Sequence, residues 1–385
     1  MLDERDVLIG LHETAGIGWK RIYGILQQHV DLRELPAWSA GRWRSLGMPE
    51  KVAQWLPSEL SESAITNKLA RYTEQGIDIV TMMDDTYPLL MKQIAQPPWV
   101  LYMRGRSELL HSFCIGMVGT RVPTAYGRRV AELLAGGLSE RGITIVSGLA
   151  RGVDSVCHEA TLQANGSTIA VLGTGVDVIY PLENRLLYER ICQHGLIISE
   201  YPLGTRASPG TFPQRNRIIA GLAHGSIVVE ADERSGSLIT ADYAMESNRD
   251  VFAVPGPITS PKSKGTLALL KQGAIMVTDV HDVINEYDSI AHDLCDKTYV
   301  KQEDNGIVNN VNYTPEPKLT NISHLTEQEK TIYLILEQGD ATIDEIQTKS
   351  QFDFGLLHTV LLSLIIKKQI SQRSGAIYSL ISCKL

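Results

Sequence analysis

The run Phe113-Cys114-Ile115-Gly116-Met117-Val118-Gly119-Thr120-Arg121 is apolar until it breaks into glycine, a hydroxyl and a cation. A strand with one wet face alternates apolar and polar residues. This one does not, so both of its faces are covered. Six runs of the same kind follow: Ile143–Ser147, Thr168–Leu172, Leu196–Ser199, Ile227–Glu230, Val251–Val254 and Ile275–Thr278. With few exceptions, helical patterns separate them. Strands buried on both sides and spaced by helices predict an α/β fold, a doubly wound and mostly parallel sheet. In such sheets the ligand sits beyond the carboxyl ends of the strands.

Those ends share a chemistry. They read Gly119-Thr120-Arg121, then Ser147-Gly148-Leu149-Ala150-Arg151-Gly152-Val153-Asp154, Gly173-Thr174-Gly175-Val176-Asp177 and Ser199-Glu200-Tyr201-Pro202. Later come Glu230-Ala231-Asp232-Glu233-Arg234-Ser235-Gly236-Ser237-Leu238-Ile239-Thr240 and Pro255-Gly256-Pro257. One such turn is ordinary punctuation. Several, each carrying a donor, predict a rim where backbone approaches a ligand.

The stretch Phe212-Pro213-Gln214-Arg215-Asn216-Arg217-Ile218-Ile219-Ala220-Gly221-Leu222 adds two cations ahead of an apolar set at helical spacing. It predicts a helix N-terminal turn carrying fixed positive charge, an end suited to phosphate. Salt bridges to nearby carboxylates would explain two isolated arginines as well. Between Ser112 and Asn285 there are 15 Lys+Arg and 16 Asp+Glu, so the region is near neutral. Yet Arg121, Arg151, Arg215, Arg217 and Arg234 all fall near strand ends or the loops leaving them, which gathers positive charge on one rim. A guanidinium grips phosphate with two parallel hydrogen bonds and stacks on a base.

Outward from this core, residues 1–65 read as short helices. Gly16-Ile17-Gly18 between two of them resembles a helix–hairpin–helix turn, whose N–H groups face a phosphate. Few basic residues flank it, so the segment reads as a packing unit with Trp19, Trp38, Trp43 and Trp55 as core. A helix over Lys68–Gln75 and a strand over Gly76–Thr81 lead into the central domain, residues 66–287. Residues 288–320 are polar and asparagine-rich and read as a flexible linker. Residues 321–385 hold three helical patterns and a hairpin, a winged-helix layout, with Thr326 and Glu329 as a capping pair. Within the third pattern, Phe354–Lys367, the stretch Phe354–Ile366 carries no Lys or Arg, so this unit reads as a protein contact or packing element.

At 385 residues, 43% hydrophobic and 21% charged, the chain has material for two or three globular domains. Its five cysteines are scattered and never spaced Cys-x-x-Cys, which fits a reducing cytosol and excludes a zinc ribbon. The start Met1-Leu2-Asp3-Glu4-Arg5-Asp6 is acidic and lacks the apolar run of a signal peptide, and no membrane-length apolar run occurs, so a cytoplasmic location is expected. A net charge of −8 argues that any polyanion binds a local patch. No Gly-x-x-x-x-Gly-Lys-Ser/Thr loop, Gly-x-Ser-x-Gly elbow or His-Glu-x-x-His pair is present, and Gly173-Thr174-Gly175 is not completed to a dinucleotide fingerprint. Asp154, His158 and Glu230 are the titratable leftovers. A capping Asp and a hydrogen-bonded core His explain the first two better than acid–base chemistry does.

The chain resembles the DNA-processing protein A (Smf) family. The resemblance rests on Pro98-Trp99-Val100-Leu101-Tyr102, Val118-Gly119-Thr120-Arg121, Tyr126-Gly127 and the run Ser147 to Asp154. It continues through Gly173 to Pro181, Ser199 to Pro202, Phe212 to Arg217, Ser235 to Thr240 and Val254-Pro255-Gly256. It implies an extended Rossmann domain between a sterile-alpha-motif-like helical domain and a winged-helix-like one. It implies further a protein without catalytic residues, metal or cofactor, which binds and protects incoming single-stranded DNA in natural transformation and loads the RecA recombinase. Members form homodimers through the Rossmann domain. By motif, the DNA-binding candidates are Gly119, Arg121, Ser147, Gly148, Arg151, Arg215, Asn216, Arg217, Ser237 and Thr240. The rival expectation is a nucleotide-processing Rossmann enzyme of the phosphoribohydrolase type, whose Pro-Gly-Gly-x-Gly-Thr-x-x-Glu loop is missing here.

Overall fold

The computed structural model describes residues 2–287 and 325–380, apart from 338, 340, 368 and 374–376. The expected linker at 288–320 lies outside the described residues. The chain forms two compact units, Met1–Lys301 and Gln302–Leu385.

The larger unit is built on nine strands: β1 (Asp78–Thr81), β2 (Val100–Gly105), β3 (Cys114–Val118), β4 (Thr144–Ser147), β5 (Thr168–Val171), β6 (Leu196–Ser199), β7 (Gly225–Val228), β8 (Asp250–Ala253) and β9 (Ile275–Met276). They lie in the order β1-β2-β6-β5-β4-β3-β7-β8-β9. β1 and β2 join antiparallel, as do β2 and β6, and every other pairing is parallel. β2 was not anticipated, because Pro97-Pro98-Trp99 ahead of it reads as loop. β7 ends two residues earlier than expected, which leaves Val229 and Glu230 beyond the ladder and on the rim.

Helices cover both faces. On one, α7 (Ala125–Ser139) and α8 (Val153–Gln163) bury Leu134, Leu138, Val156 and Cys157 against Ile115, Met117, Ile145 and Ile227. On the other, α10 (Thr211–Leu222) and α11 (Gly236–Glu246) bury Ile218, Ile219, Leu222 and Ala241 against Cys114, Val118, Val146 and Val228. Successive residues of β3 thus enter opposite cores, which is why its sequence shows no alternation. Each fully buried aliphatic side chain contributes about 1.5–3 kcal/mol. α9 (Arg185–His194) precedes β6, α6 (Leu89–Lys92) precedes β2, and α12 (Lys264–Lys271) and α13 (Val280–Ile284) close the unit.

From β3 the chain steps through β4 and β5 to β6. α10 then carries it back across to β7, on the other side of β3. The order reverses between β3 and β7, and the crevice beyond their carboxyl ends is the switch point where such sheets place ligands.

The N-terminal helices α1 (Glu4–Glu13), α2 (Trp19–Leu26), α3 (Ala40–Ser45), α4 (Glu50–Glu59) and α5 (Glu62–Glu74) belong to this same unit. The expected boundary at residue 65 falls inside α5. Trp19 stacks on Trp99 at 5.4 Å between ring centres and donates to the Pro97 carbonyl at 2.7 Å. Tyr72 stacks on Tyr102 at 4.8 Å. Trp38 and Trp43 are core, Trp19 is half-buried, and Trp55, expected in the core, is exposed.

The smaller unit contains α14 (Glu327–Glu337), α15 (Ile343–Ser350) and α16 (Phe354–Ile366). It adds an antiparallel sheet in the order β10 (Ala341–Thr342), β12 (Ile377–Leu380), β11 (Ile370–Arg373). Glu329 accepts from the Thr326 backbone at 2.8 Å and its own N–H donates to Thr326 Oγ1 at 3.3 Å. Its buried carboxylate also pairs with Lys367 Nζ at 2.7 Å. Among the described residues, no helix is long and apolar enough to cross a membrane.

Candidate nucleic-acid interface

A cavity of about 810 Å³ opens at the β3–β7 switch point. Its walls are the end of β3, the loop after β7, the first two turns of α10 and the start of α11. Of the predicted residues, Gly119, Arg121, Arg215, Asn216, Ser237 and Thr240 line it. Gly148 and Arg151 line a smaller recess of about 60 Å³ that shares Arg121, Phe212 and Arg215 with it.

The arginines separate into different roles. Arg121 is exposed, lies 5.9 Å from the centre of the Phe212 ring and pairs with no carboxylate among the described residues. Arg234, also exposed, lines the cavity too. Arg151 is exposed but ion-paired with Glu183.

Arg215 and Arg217 differ from expectation. α10 begins at Thr211, so neither sits in its first turn, and both are buried. Arg215 Nη1 donates to the carbonyls of Gly148 and Val171, and its Nε to Asn216 Oδ1 at 3.2 Å. Burial lowers its pKa to about 10, so it stays charged at neutral pH. Arg217 forms a buried ion pair with Glu200, Nη2 to Oε2 at 2.5 Å, on the far side of α10 from the cavity. For Arg217, the salt-bridge alternative is the one the geometry adopts.

Ser147 is likewise internal, its Oγ donating to the Met117 carbonyl at 2.6 Å across the β3–β4 pair. It does not line the cavity. Asn216 Nδ2 donates to the Gly236 carbonyl at 3.1 Å, which joins α10 to the start of α11. Ser237 Oγ shares a 2.7 Å bond with Ser235 Oγ, and Thr240 is fully buried in the wall.

The three titratable leftovers are all engaged. Asp154 accepts from the backbone N–H of Gly148 at 3.1 Å and of Ala150 at 3.3 Å, holding the loop after β4. Burial raises its pKa, which the Arg215 charge partly offsets. His158 bonds Thr168 Oγ1 at 2.7 Å, and burial brings its pKa to about 3, so the ring is neutral. Glu230 accepts from the Thr124 backbone at 2.9 Å and from Thr124 Oγ1 at 2.5 Å, at the N-terminus of α7. A Cβ at Gly127 would fall on that carboxylate, so glycine is required there.

Three contributors were not anticipated. Tyr180 and Phe212 form an aromatic lip, their ring centres 5.2 Å apart. Phe212 stood in a quoted motif but was read only as a helix flank, and Tyr180 carries no local signal. Lys262 reaches Thr120 Oγ1 at 3.2 Å from the loop after β8 and lies 3.7 Å from Asp232. Only the sheet order brings it to the cavity.

A crevice at a switch point, lined by unpaired guanidinium, aromatic rings and hydroxyls, defines an α/β protein that can hold phosphate and stack a base. The family model for DNA recombination-mediator protein A matches residues 78–288, and the chain belongs to that family. It is 35% identical over 390 residues to Protein Smf of Synechocystis, covering 94% of this chain and 97% of that one. It is 44% identical over 244 residues to DNA processing protein DprA of Bacillus subtilis, covering 63% and 80% respectively. Among solved structures, DNA processing protein A of Streptococcus pneumoniae aligns with TM-score 0.65 and 36% identity, over 73% of this chain and 97% of that one. The Helicobacter pylori protein, described for its single-stranded DNA binding mode, aligns with TM-score 0.50 and 31% identity, over 56% and 96%.

Proposed function

We propose that this protein binds single-stranded DNA at the switch-point cavity as a recombination mediator of natural transformation. One observation carries the reading: the unpaired Arg121 stands against the Tyr180–Phe212 lip, so a phosphate contact and a stacking platform share one opening. The single-strand binding described for the Helicobacter pylori relative supports it. Arg121 and Arg234 neutralise phosphates, the aromatic lip takes a splayed base, and Asn216, Ser237 and Thr240 shape the wall. Gly119 lets the end of β3 pack close against Val153 and the Glu230 carbonyl, while Arg215, Gly148 and Ser147 fix the loops that present the wall. Arg151 contributes once it exchanges Glu183 for a phosphate.

In this reading the protein protects the incoming strand in the cytoplasm, loads RecA onto it, works as a homodimer through the sheet unit and catalyses no reaction. The N-terminal helices act as a sterile-alpha-motif-like domain, and the small C-terminal unit is a winged-helix-like protein contact. The phosphoribohydrolase alternative is not favoured, because Glu230, its natural catalytic carboxylate, is held by Thr124.

Fluorescence anisotropy with labelled poly-dT and with duplex of equal length, each titrated with salt, tests the proposal. Single strands should bind more tightly, with log affinity falling by about 0.7 per log salt for each phosphate neutralised. Equal affinity for duplex, or no salt dependence, overturns it. RecA loading is read separately, as faster filament formation on strands pre-coated with single-strand-binding protein.

A further inference from the structure

α10 walls off two cavities, not one. Phe212, Arg215 and Asn216 face the switch-point cavity, whereas Gln214 and Arg217 face a second cavity of about 1030 Å³. The loop leading into α10 does the same: Ala207 to Pro209 line the first, Pro202 to Thr205 the second. The opposite wall of the second cavity is the Gly16-Ile17-Gly18 hairpin with Trp19, Lys20 and Arg21.

We propose that the second cavity seats the continuation of the single strand, so that the N-terminal hairpin is part of the DNA site. This rests on the single-strand reading given above. Charge favours it. The carboxylates of this cavity are already engaged, Glu13 by the Tyr72 hydroxyl and Glu200 by Arg217. Lys20 is exposed, Arg21 bonds only the Gly16 carbonyl, and neither pairs with a carboxylate among the described residues. Three cations, Lys20, Arg21 and Arg217, therefore face two carboxylates, Glu13 and Glu200, which leaves the cavity with a net positive charge.

Two further features point to a phosphodiester strand. α2 starts at Trp19 behind Gly18, which supplies no side-chain cap, so among the described residues the N–H groups of Trp19 and Lys20 are left for an anion, that of Arg21 going to the Gly18 carbonyl at 2.9 Å. Independently, the Arg217–Glu200 pair is about nine-tenths buried, and Arg217 Nη1, like Glu200 Oε1 beside it, lacks a hydrogen-bond partner among the described residues, so the guanidinium keeps a donor in reserve. Aromatic rings complete the set: Trp19 stacks between Tyr23, at 5.2 Å, and Trp99, at 5.4 Å, and Tyr23 is exposed. The low count of basic residues around Gly16–Gly18 argued from sequence for a packing role. The folded chain alters that balance by bringing Arg217 of α10 to face the hairpin and pairing Glu200 with it.

The experiment compares a short and a long labelled dT strand, six and about twenty nucleotides (lengths within and beyond the usual span of one single-strand site), on the full-length protein. Lys20→Glu with Arg21→Gln should leave the six-mer within twofold of wild type. The same variant should weaken the longer strand about tenfold and reduce its salt slope by about 1.4, the share of two phosphates. Should thermal melting show the double variant unfolded, Lys20→Glu alone, at an exposed position, is expected to give about half that loss in slope. Equal loss on both strands, or no loss on the longer one, overturns the inference. Failure of wild type to bind either strand would instead overturn the single-strand reading, and this inference with it.

Discussion

Arg215 passes its guanidinium under the loop at Gly148 and donates to that residue's carbonyl, tying the second turn of α10 to the end of β4. The same nitrogen reaches Val171 at the end of β5, so one side chain fixes two strand ends. Gly148 is the other half of the arrangement, because a Cβ there would run into the guanidinium. Gly148→Ala should therefore destabilise the large unit by about 1–3 kcal/mol, the usual range for overpacking. Urea unfolding would register this, and an unchanged midpoint would show that the loop yields without cost.

The arginines should divide by role. Arg121→Ala is expected to weaken poly-dT binding about tenfold and to lower the salt slope by about 0.7, with an unchanged unfolding midpoint. Arg217→Ala leaves Glu200 buried without its partner and should cost about 3 kcal/mol of stability. Binding isotherms and melts on the same preparations separate the two. A destabilised Arg121→Ala would contradict its assignment to ligand.

Stacking has a different signature from charge. Phe212→Ala or Tyr180→Ala should weaken binding by about 1–3 kcal/mol while leaving the salt slope unaltered. A slope that falls in parallel would mean that these rings act only by positioning Arg121.

His158 gives the fold a definite pH response. Its folded pKa of about 3 lies below the ordinary 6.5, so between those values the unfolded chain binds a proton that the folded chain does not. This contribution is complete above pH 6.5 and is lost as the pH falls towards 3, at up to about 1.4 kcal/mol per pH unit. Unfolding free energies from pH 7 to 4 should drop less steeply in His158→Gln than in wild type. Identical slopes would place the acid sensitivity elsewhere.

Much of this molecule was legible from residues alone. Covered strands announce themselves by losing alternation, so β3 to β8 and the switch-point crevice followed from Cys114–Val118 and its kin. The loops bearing Gly119, Arg121 and Ser237, which line the cavity, stood out because glycine and hydroxyls cluster at the strand ends. What sequence could not supply was direction. Arg215 and Arg217 are two residues apart on one helix, yet the first braces the switch-point cavity and the second is neutralised by Glu200 on the other side. Ser147 looked like a donor and is spent on the Met117 carbonyl. Lys262 and Tyr180 joined the site only through strand order, a property no local pattern contains.

The carboxylate of Glu230 at the start of α7 has one more consequence. That helix follows β3, the first strand of the parallel run, and in nucleotide-binding relatives of this architecture such a helix end receives the pyrophosphate. Here a tethered carboxylate takes the backbone N–H and hydroxyl of the capping Thr124, at an effective concentration set by the chain itself. A phosphate at that helix end must therefore compete with a rival supplied by the chain itself. Removing the rival, as Glu230→Ala would, should raise affinity for inorganic pyrophosphate above that of wild type, read by calorimetry.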